Sequence, residues 1–259
     1  MPILRVLFRG RIRVTAVVML VLLVAACNSG GVEEDPILRL SAEEALAKGK
    51  ELMEARKYGR AGEYLIHAFE VAPNSASGRE ALLLSADALY QSGGPSNFIK
   101  AAAKYRDFLN RFPTSDRGAY VQLQIANCLA KRVLRADRDQ STTLEAVEAY
   151  RGLLRLYPGS EQAEEAQLQI QQLRGILAEH EFLVGHHNFR RRLFGGATAR
   201  FEALLEEYPE YPKRDRVLYF LGLSYQRMGQ PEKASAVFER LREEFSDSVY
   251  VAQIPEREE

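Results

Sequence analysis

From about Ser41 onward, apolar residues recur at intervals of three and four along the chain. No stretch of any length alternates between apolar and polar, so the pattern predicts helices and no strands. Within this helical pattern small residues return at fixed distances. In "KGKELMEARKYGRAGEYLIHAFEVAPNS" the series is Gly49, Ala61, Leu65, Ala68 and Pro73. The same gaps separate Gly185, Ala197, Phe201, Leu204 and Pro209, and again Gly222, Ala234, Phe238 and Leu241, with Ser246 in place of the proline. Self-similarity at a fixed period marks a repeat array. Small residues on both helices of a pair let them approach closely. The Leu or Phe one turn later is expected to fill the gap to the next pair, and the proline falls where a helix must stop.

These gaps are those of the tetratricopeptide (TPR) repeat. Two further units fit more loosely. "NFIKAAAKYRDFLNRFPTS" supplies a second helix after the insertion "SGGPS", and "LEAVEAYRGLLRLYPGS" supplies another after the insert "RADRDQSTT". The prediction is therefore an all-α superhelical array of about five helix pairs, at about 41–74, 79–114, 118–159, 178–210 and 214–247, within 41–252. Such units stack because no pair covers its own apolar face. Between Ser160 and His187 there is no proline, which suggests one helix ending the third repeat and a nearly continuous long first helix of the fourth. A charged tail, 253–259, follows the array.

The amino-terminal segment reads differently. Arg5, Arg9, Arg11 and Arg13 precede Val14–Ala26, in which only Thr15 is polar. A basic region followed by an apolar region of this length is a signal peptide, and it is short of the roughly 20 apolar residues a membrane span needs. Val24-Ala25-Ala26-Cys27 resembles the lipobox of bacterial lipoproteins. That resemblance implies cleavage after residue 26, diacylation of Cys27, and a polar tether over 27–40. Asn28 stands where aspartate would favour inner-membrane retention in enteric bacteria, which points to the outer membrane. An uncleaved anchor or an ordinary secretory signal is the alternative.

Removing the leader takes the basic count from 35 to 31 against 35 acids, leaving a mature chain about four charges negative, with no basic excess to support nucleic-acid binding. Cys128, flanked by apolar residues at helical spacing, reads as a small buried hydrophobe. No phosphate-binding loop, dinucleotide fingerprint, Cys-x-x-Cys pair or nucleophile elbow is present. His180 and His187, with Glu181 nearby, lack the i, i+4 spacing that puts two ligands on one metal. All four histidines, His67 and His186 included, read as solvated helix residues. No cofactor or metal is implied, and a catalytic role is not expected.

A lipobox followed by about five TPR units resembles the BamD family, also called YfiO or ComL, of outer-membrane lipoproteins. "ADRDQSTTLEAVEAYRGLLRLYPGSEQAEEA" looks like that family's central segment, and "LAEHEFLVGHHNFRRRLFGGATARFEALLEEYPE" looks like the one after it. The resemblance covers about 38–252. It implies a non-enzymatic, lipid-anchored scaffold on the periplasmic face of the outer membrane, docking through its later repeats on the POTRA domains of the barrel-insertion protein and contacting other assembly lipoproteins. Its first repeats would receive unfolded outer-membrane protein segments. Arg200 matches an arginine that pairs with an acid of the POTRA partner, and Asp137, Arg138 and Asp139 match a charged turn near that contact. Local pairing of Arg200 with Glu202 or Glu206, and plain loop solubility for the turn, are the alternatives. Tyr64, Tyr90 and Tyr105 are candidates for a peptide groove in the first two repeats; ordinary packing between helices is the other reading. A different TPR envelope lipoprotein, such as a pilotin-like secretin factor or a cell-envelope coordinator, stays open as a second reading.

Overall fold

The structure, a computed structural model, describes residues 35–255. The signal segment, Cys27, the first part of the tether and residues 256–259 lie outside them. The chain divides into two units at Ser41. In the first, Pro36–Arg39 forms a single 3-10 turn, opened by a carboxylate oxygen of Asp35 accepting from the Ile37 amide at 3.0 Å.

The second unit, among the described residues, holds ten α-helices and no strand: α1 (Ala42–Glu54), α2 (Tyr58–Val71), α3 (Ala76–Ser92), α4 (Pro95–Arg111), α5 (Gly118–Ala130), α6 (Ser141–Leu156), α7 (Glu161–Arg190), α8 (Phe194–Glu207), α9 (Arg214–Arg227) and α10 (Pro231–Glu244). Each helix packs on the next, and first helices also meet across pairs, α1 on α3, α5 on α7 and α7 on α9. The element order is that of five stacked helix pairs. One difference from the sequence reading concerns the fourth pair. Its first helix does not begin near 178 but runs unbroken for 30 residues from Glu161. With no proline between 161 and 190, nothing removes a backbone donor along that stretch.

Two devices hold the pairs together. In pairs one, four and five, a glycine on the first helix receives a side chain from the second. A methyl placed on Gly49 would stand 2.6 Å from Leu65, one on Gly185 would stand 2.6 Å from Phe201, and one on Gly222 2.4 Å from Phe238. The Leu or Phe one turn after the alanine therefore fills the notch of its own pair. This corrects the expectation that it fills the gap to the next, although Phe201 also faces Phe220 of the following pair at 6.5 Å. Pairs two and three use tyrosine instead. Tyr105 and Tyr150 are fully buried and donate to first-helix side chains, Asp87 and Asn127, at 2.5 Å each. Cys128 is buried beside them, and burial pushes its thiol up to about 12.

Candidate partner-binding surface

The ten-residue connection 131–140 between α5 and α6 carries the Asp137-Arg138-Asp139 turn. A glutamine organises it. The buried Gln140 donates its amide to the carbonyls of Arg135 and Arg138, both at 2.9 Å, and accepts from the Thr143 hydroxyl at 2.8 Å. Asp139 accepts from both the amide and the hydroxyl of Ser141, each at 3.1 Å, and so ties the turn to the first residue of α6. Asp137 pairs with Arg135 at 3.3 Å, and Arg138 stands exposed at the tip. The turn is thus ordered from within, with its charges outward.

The long helix α7 then joins this turn to Arg200. His180 Nδ1 lies 2.7 Å from the Ala136 carbonyl oxygen, and the next residue, Glu181, accepts from Arg200 Nη1 at 2.9 Å. Arg200 therefore pairs with Glu181 across to α7, and not with Glu202 or Glu206 on its own helix. Its side chain is 51% exposed, so the pair contributes at most about 1 kcal/mol and leaves the guanidinium accessible. The structure thus brings the turn and Arg200 to adjacent residues of one helix. Gln140 and His180, which hold the turn, were not among the residues singled out for binding. The sequence marks His180 only as an imidazole among charged and apolar neighbours, and Gln140 not at all, since it merges with the polar run Ser141–Thr143.

Behind Glu181, Glu179 anchors the start of α9 to α7. It accepts from Arg216 at 2.5 Å, Tyr211 at 2.6 Å and Lys213 at 3.2 Å. Burial alone would raise its pKa, but the hydrogen bonds from Arg216 and Tyr211 outweigh burial and hold the carboxyl at about 2. The Arg216 guanidinium also lies 3.7 Å from the centre of the Phe182 ring.

Of the three groove tyrosines, Tyr90 packs against the core cluster that contains Tyr105, and Tyr64 is outside that cluster. Tyr64 is half-buried on α2, and Tyr90 is half-buried with its ring 5.6 Å from that of Phe98. Tyr105 has no exposed surface at all, so it is a core residue; that corrects its reading as a groove contact. The concavity in this half is elsewhere. A cavity of about 360 Å³ opens between α3, α4 and the start of α5, walled by Arg79, Glu80, Leu83, Asp87, Phe108 and Arg117. Asp87 accepts from both Tyr105 and Tyr120, at 2.5 and 2.8 Å. Burial raises its pKa despite those two donors. An acid inside the apolar run "LLLSADALY" was the sequence signal for this site.

The histidines are packed more than expected. His67 is buried, His186 stacks on Phe182 with ring centres 5.6 Å apart, and His180 bonds the loop; His187 is the exposed one. Among the described residues no group of three His, Cys, Asp or Glu is placed to hold a metal ion, and no helix is long and apolar enough to cross a membrane.

Comparison with solved structures finds tetratricopeptide proteins. The chain is similar to the TPR2AB domain of yeast Sti1, solved in complex with pHSP90, at 16% identity over 81% of this chain and 80% of that one, with a TM-score of 0.45. It is similar to a thermophilic TPR protein of Thermus thermophilus at 17% identity over 82% and 95%, with a TM-score of 0.39. PilW, a widely conserved type IV pilus biogenesis factor, gives 14% identity over 82% and 97%, with a TM-score of 0.38. At these values the likenesses say nothing of ligands or partners. No curated protein matches the sequence significantly. The family profile of YfiO, described as outer membrane lipoprotein, matches residues 39–241, most of the helix array together with the turn and Arg200. The chain belongs to the YfiO family of outer membrane lipoproteins.

Proposed function

We propose that this chain is a non-enzymatic scaffold of the outer-membrane β-barrel assembly machinery, anchored by acylated Cys27 on the periplasmic face and bound to the POTRA domains of the barrel-insertion protein. The observation that carries the reading is the convergence of the Asp137–Asp139 turn and Arg200 on His180 and Glu181 of α7, inside the span that matches the family. An ordered, exposed, mixed-charge patch on a stiff helix suits a partner that presents an acid to Arg200. Exchanging Glu181 for a partner carboxylate costs little, because the pair is solvent-screened.

The first repeats would receive the end of an unfolded barrel precursor. The mixed-charge cavity bounded by Arg79, Asp87 and Arg117 is a concave site there with both apolar and charged walls. The buried Tyr105 takes part only through Asp87.

Recovery of the barrel-insertion protein from detergent extracts tests the contact. Arg200→Glu is expected to reduce recovery at least tenfold with helical circular dichroism unchanged, whereas Glu181→Gln, which frees Arg200, should preserve or raise it. Equal recovery by both variants would sink the assignment of Arg200. Metabolic labelling with palmitate, lost in Cys27→Ser, checks the anchor separately.

A further inference from the structure

The repeat array is electrically lopsided. Every first-to-second helix turn (α1 to α2, α3 to α4, and so on) falls at the same end of its pair. Counted from the last residue of the first helix to the third of the second, these five turns hold twelve Arg or Lys against four Asp or Glu. The four connections at the opposite edge, counted likewise, hold five of each. Pairing differs in the same sense. At the balanced edge four of the five, Arg111, Lys213, Arg214 and Arg216, sit in ion pairs, and Arg117 lies over the Tyr120 ring at 4.9 Å. At the basic edge Arg135 pairs with Asp137, while Arg56, Lys57, Arg190, Arg191, Arg192 and Arg227 are exposed and form no ion pair among the described residues.

Two of those arginines occupy positions the backbone does not favour. The turns after α1, α7 and α9 are the same turn. In each, the residue three past the helix end donates to a carbonyl five back: Lys57 to Leu52 at 2.8 Å, Leu193 to Asn188 at 2.9 Å and Gln230 to Tyr225 at 3.0 Å. The preceding residue must be left-handed, a place glycine takes readily. After α9 it is Gly229, at φ +69°; after α1 and α7 it is Arg56 and Arg192, at φ +56° and +61°. Turn geometry does not ask for arginine there and mildly opposes it. Beside them stand exposed apolar tips, Leu193 at 59% and Met228 at 39%, with Leu134 at 53% on the turn after α5. Exposed apolar residues occur at the other edge too, Leu156 for one, so the charge and not the apolar surface sets this edge apart.

We infer that this basic edge lies on an anionic phospholipid surface, with the turns after α1, α7 and α9 as contact points and Leu193 and Met228 entering the headgroup layer. The charges are spread along the array on exposed side chains. That suits a diffuse layer of phosphates better than a folded acidic partner. A chain of an outer-membrane lipoprotein family works within reach of such a surface. The Lys131–Leu134 half of the long loop belongs to this edge; its Asp137–Asp139 half belongs to the protein contact proposed above. The inference uses different residues from that contact and holds whether or not it does.

The chain contains no tryptophan, so Leu193→Trp gives a clean reporter. The mature lipidated protein carrying it is reconstituted into vesicles of phosphatidylcholine alone or of equal parts phosphatidylcholine and phosphatidylglycerol, with and without brominated lipid. Flotation with the neutral vesicles reports the acyl anchor, and the tryptophan signal reports the edge, so the two readings fail separately. Expected are a blue shift and bromine quenching in the anionic vesicles only, reversed by added salt. Each basic side chain contributes about fivefold to such partitioning. Adding Arg56→Gly and Arg192→Gly should therefore weaken the response by about tenfold or more, while Tm stays level or rises slightly because glycine fits both turns. Met228→Trp serves as a second reporter if Leu193→Trp folds poorly. A solvent-exposed tryptophan in both vesicle types, or equal quenching in both, would overturn the inference. So would a reporter that ignores anionic lipid but responds to added polyglutamate, which would assign the edge to an acidic protein.

Discussion

Pairs one, four and five are built on a missing side chain, and pairs two and three on a buried hydroxyl. In the notched pairs the backbone of Gly49, Gly185 or Gly222 is the floor on which Leu65, Phe201 or Phe238 rests, and the fit is steric. In the tied pairs the tyrosine at the corresponding place needs a polar acceptor, so Asp87 or Asn127, half-buried, must meet it. The steric device has one solution and tolerates no added atom. The polar device allows more residues but obliges two polar groups to stay matched. The notched pairs are accordingly the ones whose period stands out in the sequence, while the tied pairs need loosened spacing and insertions to be recognised.

The sharpest way to break the contrast is within one helix. α7 carries two glycines. Gly185→Ala drives a methyl into Phe201, whose ring is itself packed against Phe182, so relief requires the helices to part. A loss of about 3 kcal/mol is expected. Gly175→Ala meets nothing within 4 Å and should instead gain about 0.5–1 kcal/mol, because alanine is the better helix former. Thermal denaturation of the two variants side by side reads opposite signs from the same substitution. Equal effects would show that the notch is not what makes Gly185 necessary.

Acid should separate the two halves of the array. Glu179 falls from its ordinary 4.5 to about 2 in the folded chain, so its stabilisation is complete above about pH 5 and is lost as pH drops toward 2. The loss is about 2 kcal/mol, and it loosens α7 from the start of α9. Asp87 has the opposite sign. Its raised pKa means that the folded state prefers the neutral acid, so protonation there costs no stability. Hydrogen exchange followed by mass spectrometry at pH 3 and pH 7 should show protection falling first in 179–220, before 80–125. Glu179→Gln should remove that ordering.

How far the sequence leads follows from the same contrast. Helical period, small residues and terminal prolines arise from interactions close along the chain, and they located the pairs. What escaped were arrangements depending on which residue lies across a gap: the partner of Arg200 proved to be Glu181, 19 residues away on another helix, and Tyr105 proved to be core. Phe201 and Phe238 were recognised as packing residues while their seats were misplaced, since spacing says that a residue packs without saying against what. The continuity of α7 was half legible, because the absence of proline permits a helix without requiring one.

Tyr150→Phe removes the donor to the Asn127 side-chain oxygen, a half-buried neutral acceptor with no other donor among the described residues, and should cost about 1 kcal/mol or a little more. Since asparagine does not titrate, the drop in Tm relative to the parent should be the same at every pH from mildly acidic to mildly basic. A loss that varied with pH would mean that Tyr150 reports on some other group.

Tyr105→Phe is the smallest loss and the most informative. Asp87 keeps the Tyr120 hydroxyl at 2.8 Å, so about 1 kcal/mol is expected near neutral pH. The lost hydrogen bond favoured the ionised carboxylate, however, so its removal raises an already raised pKa. Below the ordinary carboxylate value of 3.8 Asp87 is neutral in both folded and unfolded chains, and the ionic part of the loss vanishes. As pH rises through the folded value, the variant must either bury a charge with one donor fewer or hold a proton that the unfolded chain releases, and the deficit grows to its plateau. The Tm difference between Tyr105→Phe and the parent should therefore widen with pH, while that of Tyr150→Phe stays flat. Two tyrosines at corresponding places in adjacent pairs, each stripped of one oxygen, would then differ only through the acceptor each was given.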